Sequence, residues 1–344
     1  MTTACTSNID RERYQFHAAP RPRDHPRRRS RREGRVKSAA AAPRPLAQPL
    51  PSTGVSAEAR AMNRRYLDEM ANADAASALG RVRDLWWQPF LAACSDSGIP
   101  SALDQADVYM LGQKPQFLAV ASDYATEKAE AGSPQHALLV NQFVKSNIGK
   151  MFEKFAGVAL AYALHEVDAD YAVLPFRAGN VSLIKGKTRS SFRVGFQFGD
   201  GSLFTHIDAD AFAFCPTDTD APIYFLSMKS TLKDRFHNVP FWNLLRRAAV
   251  SPDFPEIIPA DADALARLRY VAICSDFAEE QPDFGTEAGA RNLLKVDASL
   301  LDGAYVSSSR AGGLPDDCAN HLGDVRPHAF YRYSCFFDHL ATAP

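Results

Sequence analysis

The chain has 344 residues, 46 % of them hydrophobic, so one large domain or two modest ones with a sizeable core is expected. Its net charge of −1 hides an asymmetry: residues 1–50 hold twelve Arg or Lys against four acids, a balance of +8 that leaves −9 on the remainder. A folded part this acidic is not steered to nucleic acid by bulk charge and would need a local basic surface to bind it. No apolar run reaches membrane-spanning length, and the first thirty residues lack an apolar signal core. The six cysteines, at 5, 94, 215, 274, 318 and 335, contain no Cys-x-x-Cys pair. Their wide spacing suggests neither a zinc site nor a disulfide framework, and so points to a reduced, cytoplasmic setting.

Residues 1–56 are rich in Arg, Pro, Ala and Ser and nearly free of large apolar residues, a composition that cannot offset its own ordering entropy. A disordered basic tail is expected there, and Met62 offers itself as an alternative start. Residues 57–132 read as a helical accessory region anchored by Trp86, Trp87, Phe90 and Leu91, with a break at Ile99 and Pro100. Residues 133–344 would form the main domain. It opens with a long helix started by Ser133 and Pro134, with apolar residues recurring from 139 to 164 near a 3.6 period. Gly149, Glu153 and Gly157 share one face of that helix. The glycines would let another backbone approach the carboxylate, although Glu153 could equally pair with Lys150 or Lys154. Strands are expected at 171–176, 181–185, 206–214, 222–228 and 270–274. The order predicts an α/β fold: a mixed central β-sheet flanked by helices, with a helical N-terminal region.

The chemistry concentrates at 205–236. Asp208 and Asp210 stand two apart in an expected strand, so both would point to one face, joined there by His206. Lys229 ends the next expected strand and should lie across the hairpin from these acids. An acid and a lysine on paired strand ends suit metal-dependent phosphodiester cleavage. The acid would hold a divalent cation, and the lysine would contact the attacking water or steady charge on the phosphorane. A polar cluster follows at Ser230, Thr231, Lys233, Asp234 and Arg235.

This pattern resembles the PD-(D/E)XK nuclease fold. In that fold a strand-borne Asp precedes an (Asp/Glu)-x-Lys on the neighbouring strand. The stretch Lys-Ser-Thr-Leu-Lys-Asp-Arg at 229–235 is similar to the Lys-(Ser/Thr)-(Ser/Thr)-Leu-Arg-(Asp/Glu)-Arg of type II restriction endonucleases that read CCGG or related interrupted targets. The resemblance covers about residues 145–250 and implies that Lys229 is catalytic. It further implies that Lys233, Asp234 and Arg235 reach base edges, with Ser230, Thr231, Asn238 and His237 close to the DNA. A basic–acidic–basic triplet matches G·C pairs: Lys or Arg donates to guanine, and a carboxylate accepts from cytosine. A capping role for Thr231 and Asp234 is the plainer alternative.

Three positions depart from the family pattern. Ser227 stands where a second acid is usual, so Glu153 is the candidate to join Asp210 and Asp208 in holding Mg²⁺. Lys233 replaces Arg and lacks its bidentate fork. Pro240 should interrupt the recognition helix or start another. The expected function is a Mg²⁺-dependent double-strand cut at a short G·C-rich palindrome, made by a homodimer or higher homo-oligomer. The alternatives are a structure-selective or repair nuclease of the same fold, or an inert DNA-binding protein whose Ser227 marks a decayed site.

Overall fold

The computed structural model describes residues 57–230, 236–275, 284, 292–323 and 326–343. Residues 1–56 therefore lie outside the described residues. The first helix, α1 (Ala57–Ala71), buries Ala59, Asn63, Tyr66 and Met70, one stripe at helical spacing. Short helices follow at α2 (Ala78–Arg81), α3 (Gln88–Ser97), α4 (Ile99–Leu103), α5 (Ala106–Gly112) and α6 (Lys114–Thr126). A π-helical turn, Val82–Trp87, joins α2 to α3. Gly98, at φ +85°, separates α3 from α4, and Pro100 sits in the first turn of α4, where its missing amide costs nothing. Trp86, Phe90 and Tyr109 stack edge-on against Phe155 of the 33-residue helix α7 (Pro134–Glu166). This helical region thus shares a continuous core with the rest of the chain. The Ser133 hydroxyl caps α7 by accepting from the His136 amide. The second half of α7, from Met151 on, is largely buried, whereas its first half is mostly exposed or half-buried.

Six strands build the main sheet: β1 (Ala172–Pro175), β4 (Ala211–Phe214), β5 (Ile223–Lys229), β7 (Leu268–Cys274), β8 (Gly303–Val306) and β9 (Tyr331–Arg332), in spatial order β1-β4-β5-β7-β8-β9. β1, β4 and β5 run antiparallel, whereas β5, β7, β8 and β9 run parallel. A second, antiparallel sheet has the order β3-β2-β6 from β2 (Arg193–Phe198), β3 (Gly201–His206) and β6 (Ile257–Pro259). The remaining helices are α8 (Ala178–Val181), α9 (Val239–Val250), α10 (Ala262–Arg267), α11 (Asn292–Ser299) and α12 (Tyr333–Thr342). Helix α7 packs on β1 and β5, and α12 packs on β8 and on α7. Helices α9 and α11 pack on each other and on β7 and β8. The expected architecture is therefore present: a mixed central sheet flanked by helices, with a helical N-terminal region. The edge strand β1 is covered by Asn63, which donates to the Tyr171 carbonyl (3.0 Å) and accepts from the Val173 amide (2.8 Å). That side chain supplies the bonds a further strand would have made.

Several sequence expectations need correction. Residues 206–214 are not one strand: β3 ends at His206, β4 begins at Ala211, and residues 207–210 connect two different sheets. Residues 181–185 are the end of α8 and a following turn, because the Leu183 and Ile184 amides bond back to Asn180 and Val181. Cys318 and Cys335 form a disulfide, against the expectation of none; a 17-residue separation carries no local pairing signal. Among the described residues no helix is long and apolar enough to cross a membrane.

Candidate active site

The connection 207–210 is pinned at every residue but one. Ile207 is fully buried and its amide bonds the Phe192 carbonyl (3.1 Å). The Asp208 carbonyl accepts from the Tyr270 hydroxyl. Asp210 donates its amide to Leu226 of β5 (2.9 Å) and accepts at its carbonyl from Phe176, just past β1 (3.2 Å). Thus β1, β5 and β7 together fix Asp210 at the entry to β4.

Asp210 then meets Lys229. Its Oδ2 accepts from Lys229 Nζ at 2.9 Å and from the Met228 amide at 2.7 Å. The second bond has a topological cause. The last β4 partner of β5 is Ala211, opposite Leu226, so the Met228 amide lies beyond the ladder. The Asp210 carboxylate takes the bond that the missing strand would have supplied. Both side chains are mostly buried, at 18 % and 19 % exposed. Oδ1 makes no hydrogen bond among the described residues, so one carboxylate oxygen remains for a further ligand.

Asp208 is exposed and lies outside any strand, so it does not share a strand face with Asp210. His206 is also displaced from these acids: it pairs with Arg193 in the second sheet. Burial, then Arg189 and Arg193, lower its pKa and keep it neutral near pH 7. Glu153 is half-buried on α7, and its two glycines do bring that face close to β5. A Cβ on Gly149 would stand 3.6 Å from Ser230 Oγ, and one on Gly157 would stand 3.7 Å from Met228 Cε. Alternation along β5 turns Met228 toward α7 and Lys229 to the other face. Glu153 and Lys229 therefore approach the strand end from opposite faces of the sheet.

Two further residues belong to this corner and carried no sequence signal. Tyr270 reads as core, yet its hydroxyl holds the Asp208 carbonyl and lies beside Ser227. Burial raises its pKa far above the usual phenol range, with Asp208 and Asp210 adding, so it remains a neutral donor. Ser275 follows β7, is fully buried, and donates its amide to the Lys229 carbonyl at 3.1 Å. Its hydroxyl has no partner among the described residues. Ser227, at the expected second-acid position, is buried and faces Tyr270 instead of an open site.

Thr231, Lys233, Asp234 and Arg235 lie outside the described residues. Asn238 is exposed at the end of a 3₁₀ turn, Phe236–Asn238, and Pro240 starts α9, one of the two outcomes expected for it. Lys145 and Lys150 are exposed on the face-changing half of α7, before Glu153. No group of three or more His, Cys, Asp or Glu able to hold a metal occurs among the described residues. No protein-family model matches the chain, and no curated protein matches it.

Proposed function

We propose that the chain is a Mg²⁺-dependent nuclease of the PD-(D/E)XK kind, a type II restriction endonuclease cutting double-stranded DNA at a short G·C-rich palindrome. The observation that carries this reading is the Asp210–Lys229 contact at the open end of β4 and β5, with one Asp210 oxygen left over. A Mg²⁺ site needs only one or two protein carboxylates, with water and phosphate completing the shell. Asp210, with one oxygen left over, would supply one such carboxylate; Glu153, which comes to the strand end from the other face of the sheet, is the candidate second, and Asp208 is the reserve ligand on the same connection. When bound, the ion would neutralise charge on the scissile phosphate. Asp210 orients Lys229, and Lys229 stabilises the charge that builds on the attacked phosphate and positions the attacking water. Tyr270 holds the connection that carries Asp208 and Asp210. Lys233, Asp234 and Arg235, directly after Lys229 in the chain, would read G·C edges, and a palindromic site implies a homodimer or higher homo-oligomer.

Plasmid DNA incubated with the full chain, with Mg²⁺ or with a chelator, tests the reading. Discrete fragments that need Mg²⁺ and vanish in Lys229→Ala support it. A Mg²⁺-dependent smear would indicate a structure-selective or repair nuclease. Specific binding without any cutting would indicate an inert DNA-binding protein. Glu153→Ala should raise the Mg²⁺ concentration needed for half-maximal cutting, and an unchanged Mg²⁺ dependence would remove Glu153 from the site.

A further inference from the structure

At the opposite ends of the parallel strands lies a second constellation, which the nuclease reading does not use. Tyr224 and Arg269 stand at the starts of β5 and β7, and Asp302 immediately precedes β8. Together with Arg246 and Arg247 of α9 and with Gly323 they line a cleft of about 480 Å³. Tyr224 and Lys229 are five residue steps apart along β5, so the cleft is roughly 17 Å from the candidate active site.

Three arginines line this cleft, and they are held in different ways. Arg246 is buried and serves the fold: it donates to Asn243 Oδ1 (2.9 Å), to the Leu265 carbonyl (3.4 Å) and to Asp302 (3.2 Å). Arg247 gives Asp302 a bond of 3.0 Å. Asp302 also accepts from the Tyr270 amide (2.7 Å), so its carboxylate is saturated. Arg269 makes no ion pair among the described residues; its hydrogen bonds run from Nη1 to the Ala266 and Leu268 carbonyls (2.9 and 3.1 Å). Arg326 stands close to Arg247 and Asp302, and its Nη1 is buried with no hydrogen-bond partner among the described residues. Burial lowers its pKa. The Asp302 carboxylate is filled by its own contacts, and Arg269 is left at the cleft without a carboxylate partner among the described residues.

We propose that this cleft binds a small phosphorylated ligand, up to the size of a nucleoside monophosphate, with Arg269 as its principal contact. Planar guanidinium forks match phosphate oxygens two at a time, and an anion here would give Arg269 the counter-charge that Asp302 does not supply. The volume falls in the range of small-molecule sites and is too small for a duplex. Being remote from Lys229, the ligand would act as an effector and not as substrate.

Binding is measured by calorimetry on the full chain at constant ionic strength. The probes are inorganic phosphate, deoxyadenosine monophosphate, deoxyadenosine, and a short single strand with or without a 5′-phosphate. Saturable binding of phosphate and the monophosphate, but not of deoxyadenosine, is expected. Arg269→Gln should weaken it roughly tenfold or more, the worth of one charge-assisted hydrogen bond. Arg269→Lys should recover only part of it, and Lys229→Ala should leave it unchanged. Arg269 bonds only backbone carbonyls, and the unliganded thermal midpoint of Arg269→Gln checks that its fold is intact. Absence of saturable binding overturns the proposal. So does equal binding by Arg269→Gln, loss of binding in Lys229→Ala, or binding of the phosphorylated strand alone.

Discussion

Replacing Asp210 by Ala and by Asn separates the two tasks its carboxylate performs. In Asp210→Ala the Met228 amide, in a residue with no solvent exposure, loses its acceptor. An orphaned buried donor costs about 1–3 kcal/mol. Lys229, 19 % exposed, also loses its partner, which adds about 1 kcal/mol because water still reaches the ammonium. In Asp210→Asn the amide oxygen can still accept from Met228, so only the charged part of the contact is lost, about 1 kcal/mol. The Ala variant should therefore be less stable than the Asn variant by about 1–3 kcal/mol, the cost of the orphaned amide. In urea that gap is a midpoint difference of roughly 0.3–1 M, taking a slope of about 3 kcal/mol/M for a unit of this size. Cleavage should be lost in both, because neither side chain carries the charge that a Mg²⁺ ligand needs. Equal midpoints would show that the Met228 bond contributes nothing. An Asn variant cutting at near the unchanged rate would refute the role given to the carboxylate.

Lys229→Ala should abolish cutting while leaving specific DNA affinity largely intact, since the lysine acts on the transition state; near-normal turnover would sink that assignment. Tyr270→Phe should cost about 1–2 kcal/mol and lower kcat more than it changes KM, because the Asp208 carbonyl loses its partner; an unchanged kcat would confine Tyr270 to the core. Arg235→Ala should cost roughly 1–3 kcal/mol of specific binding at one G·C position, read by single-substituted duplexes at fixed salt. Equal weakening on every duplex would make Arg235 a phosphate contact. Burial pushes His321 down from 6.5 to about 4 and Asp104 up from 3.8 to about 6. The neutral-folding His321 loses stability as pH falls through 6.5 to 4, while the proton-holding Asp104 gains it as pH falls through 6 to 3.8, so the two oppose each other. Asp104→Asn should steepen the acid loss relative to the unchanged chain, by up to about 1.4 kcal/mol per pH unit in that window, and parallel stability curves would contradict this.

Legibility in the sequence followed how local each signal was. Helix α7 could be bounded at its start because Ser133 and Pro134 supply both a cap and a compatible first turn. β5 and β7 were readable as apolar runs because strands buried on both faces need no alternation. The break between β3 and β4 was not readable: His-Ile-Asp-Ala-Asp alternates like a strand, and only the distant Phe192, Phe176 and Tyr270 make it a connection. The second sheet was missed for a related reason. β3 is mostly exposed, with Leu203 69 % and Phe204 39 % exposed, so its apolar residues do not mark an inner face. Asp210 and Lys229 were paired correctly because hairpin order alone places them at one end. The arginine cleft left no trace, because its members come from α9, β7 and the segment after β8, and meet only through the tertiary fold.

The candidate active site lies where the sheet changes sense. β5 has an antiparallel neighbour on one side and a parallel neighbour on the other. An antiparallel strand begins where its partner ends, so the residue entering β4 is set beside the residue leaving β5; that is Asp210 beside Lys229. A parallel strand ends where its partner ends, which sets Ser275 against the Lys229 carbonyl. Three chain segments thus meet at one point, with the β4–β5 ladder unfinished at Met228, and a crevice at the carboxyl ends of strands is where open α/β sheets take ligands. The unfinished ladder also explains why a carboxylate is useful at 210 even before chemistry is considered, because it completes the β5 bond at Met228. Register makes the arrangement strict. A slip of β5 by one residue would turn Lys229 to the α7 face and bring Met228 to the crevice. The seven paired positions between β5 and β7, with Phe225 opposite Tyr270, hold that register from the far side. The same pairing brings the Tyr270 hydroxyl to the Asp208 carbonyl, so the strand that fixes Lys229 also fixes the connection carrying its partner.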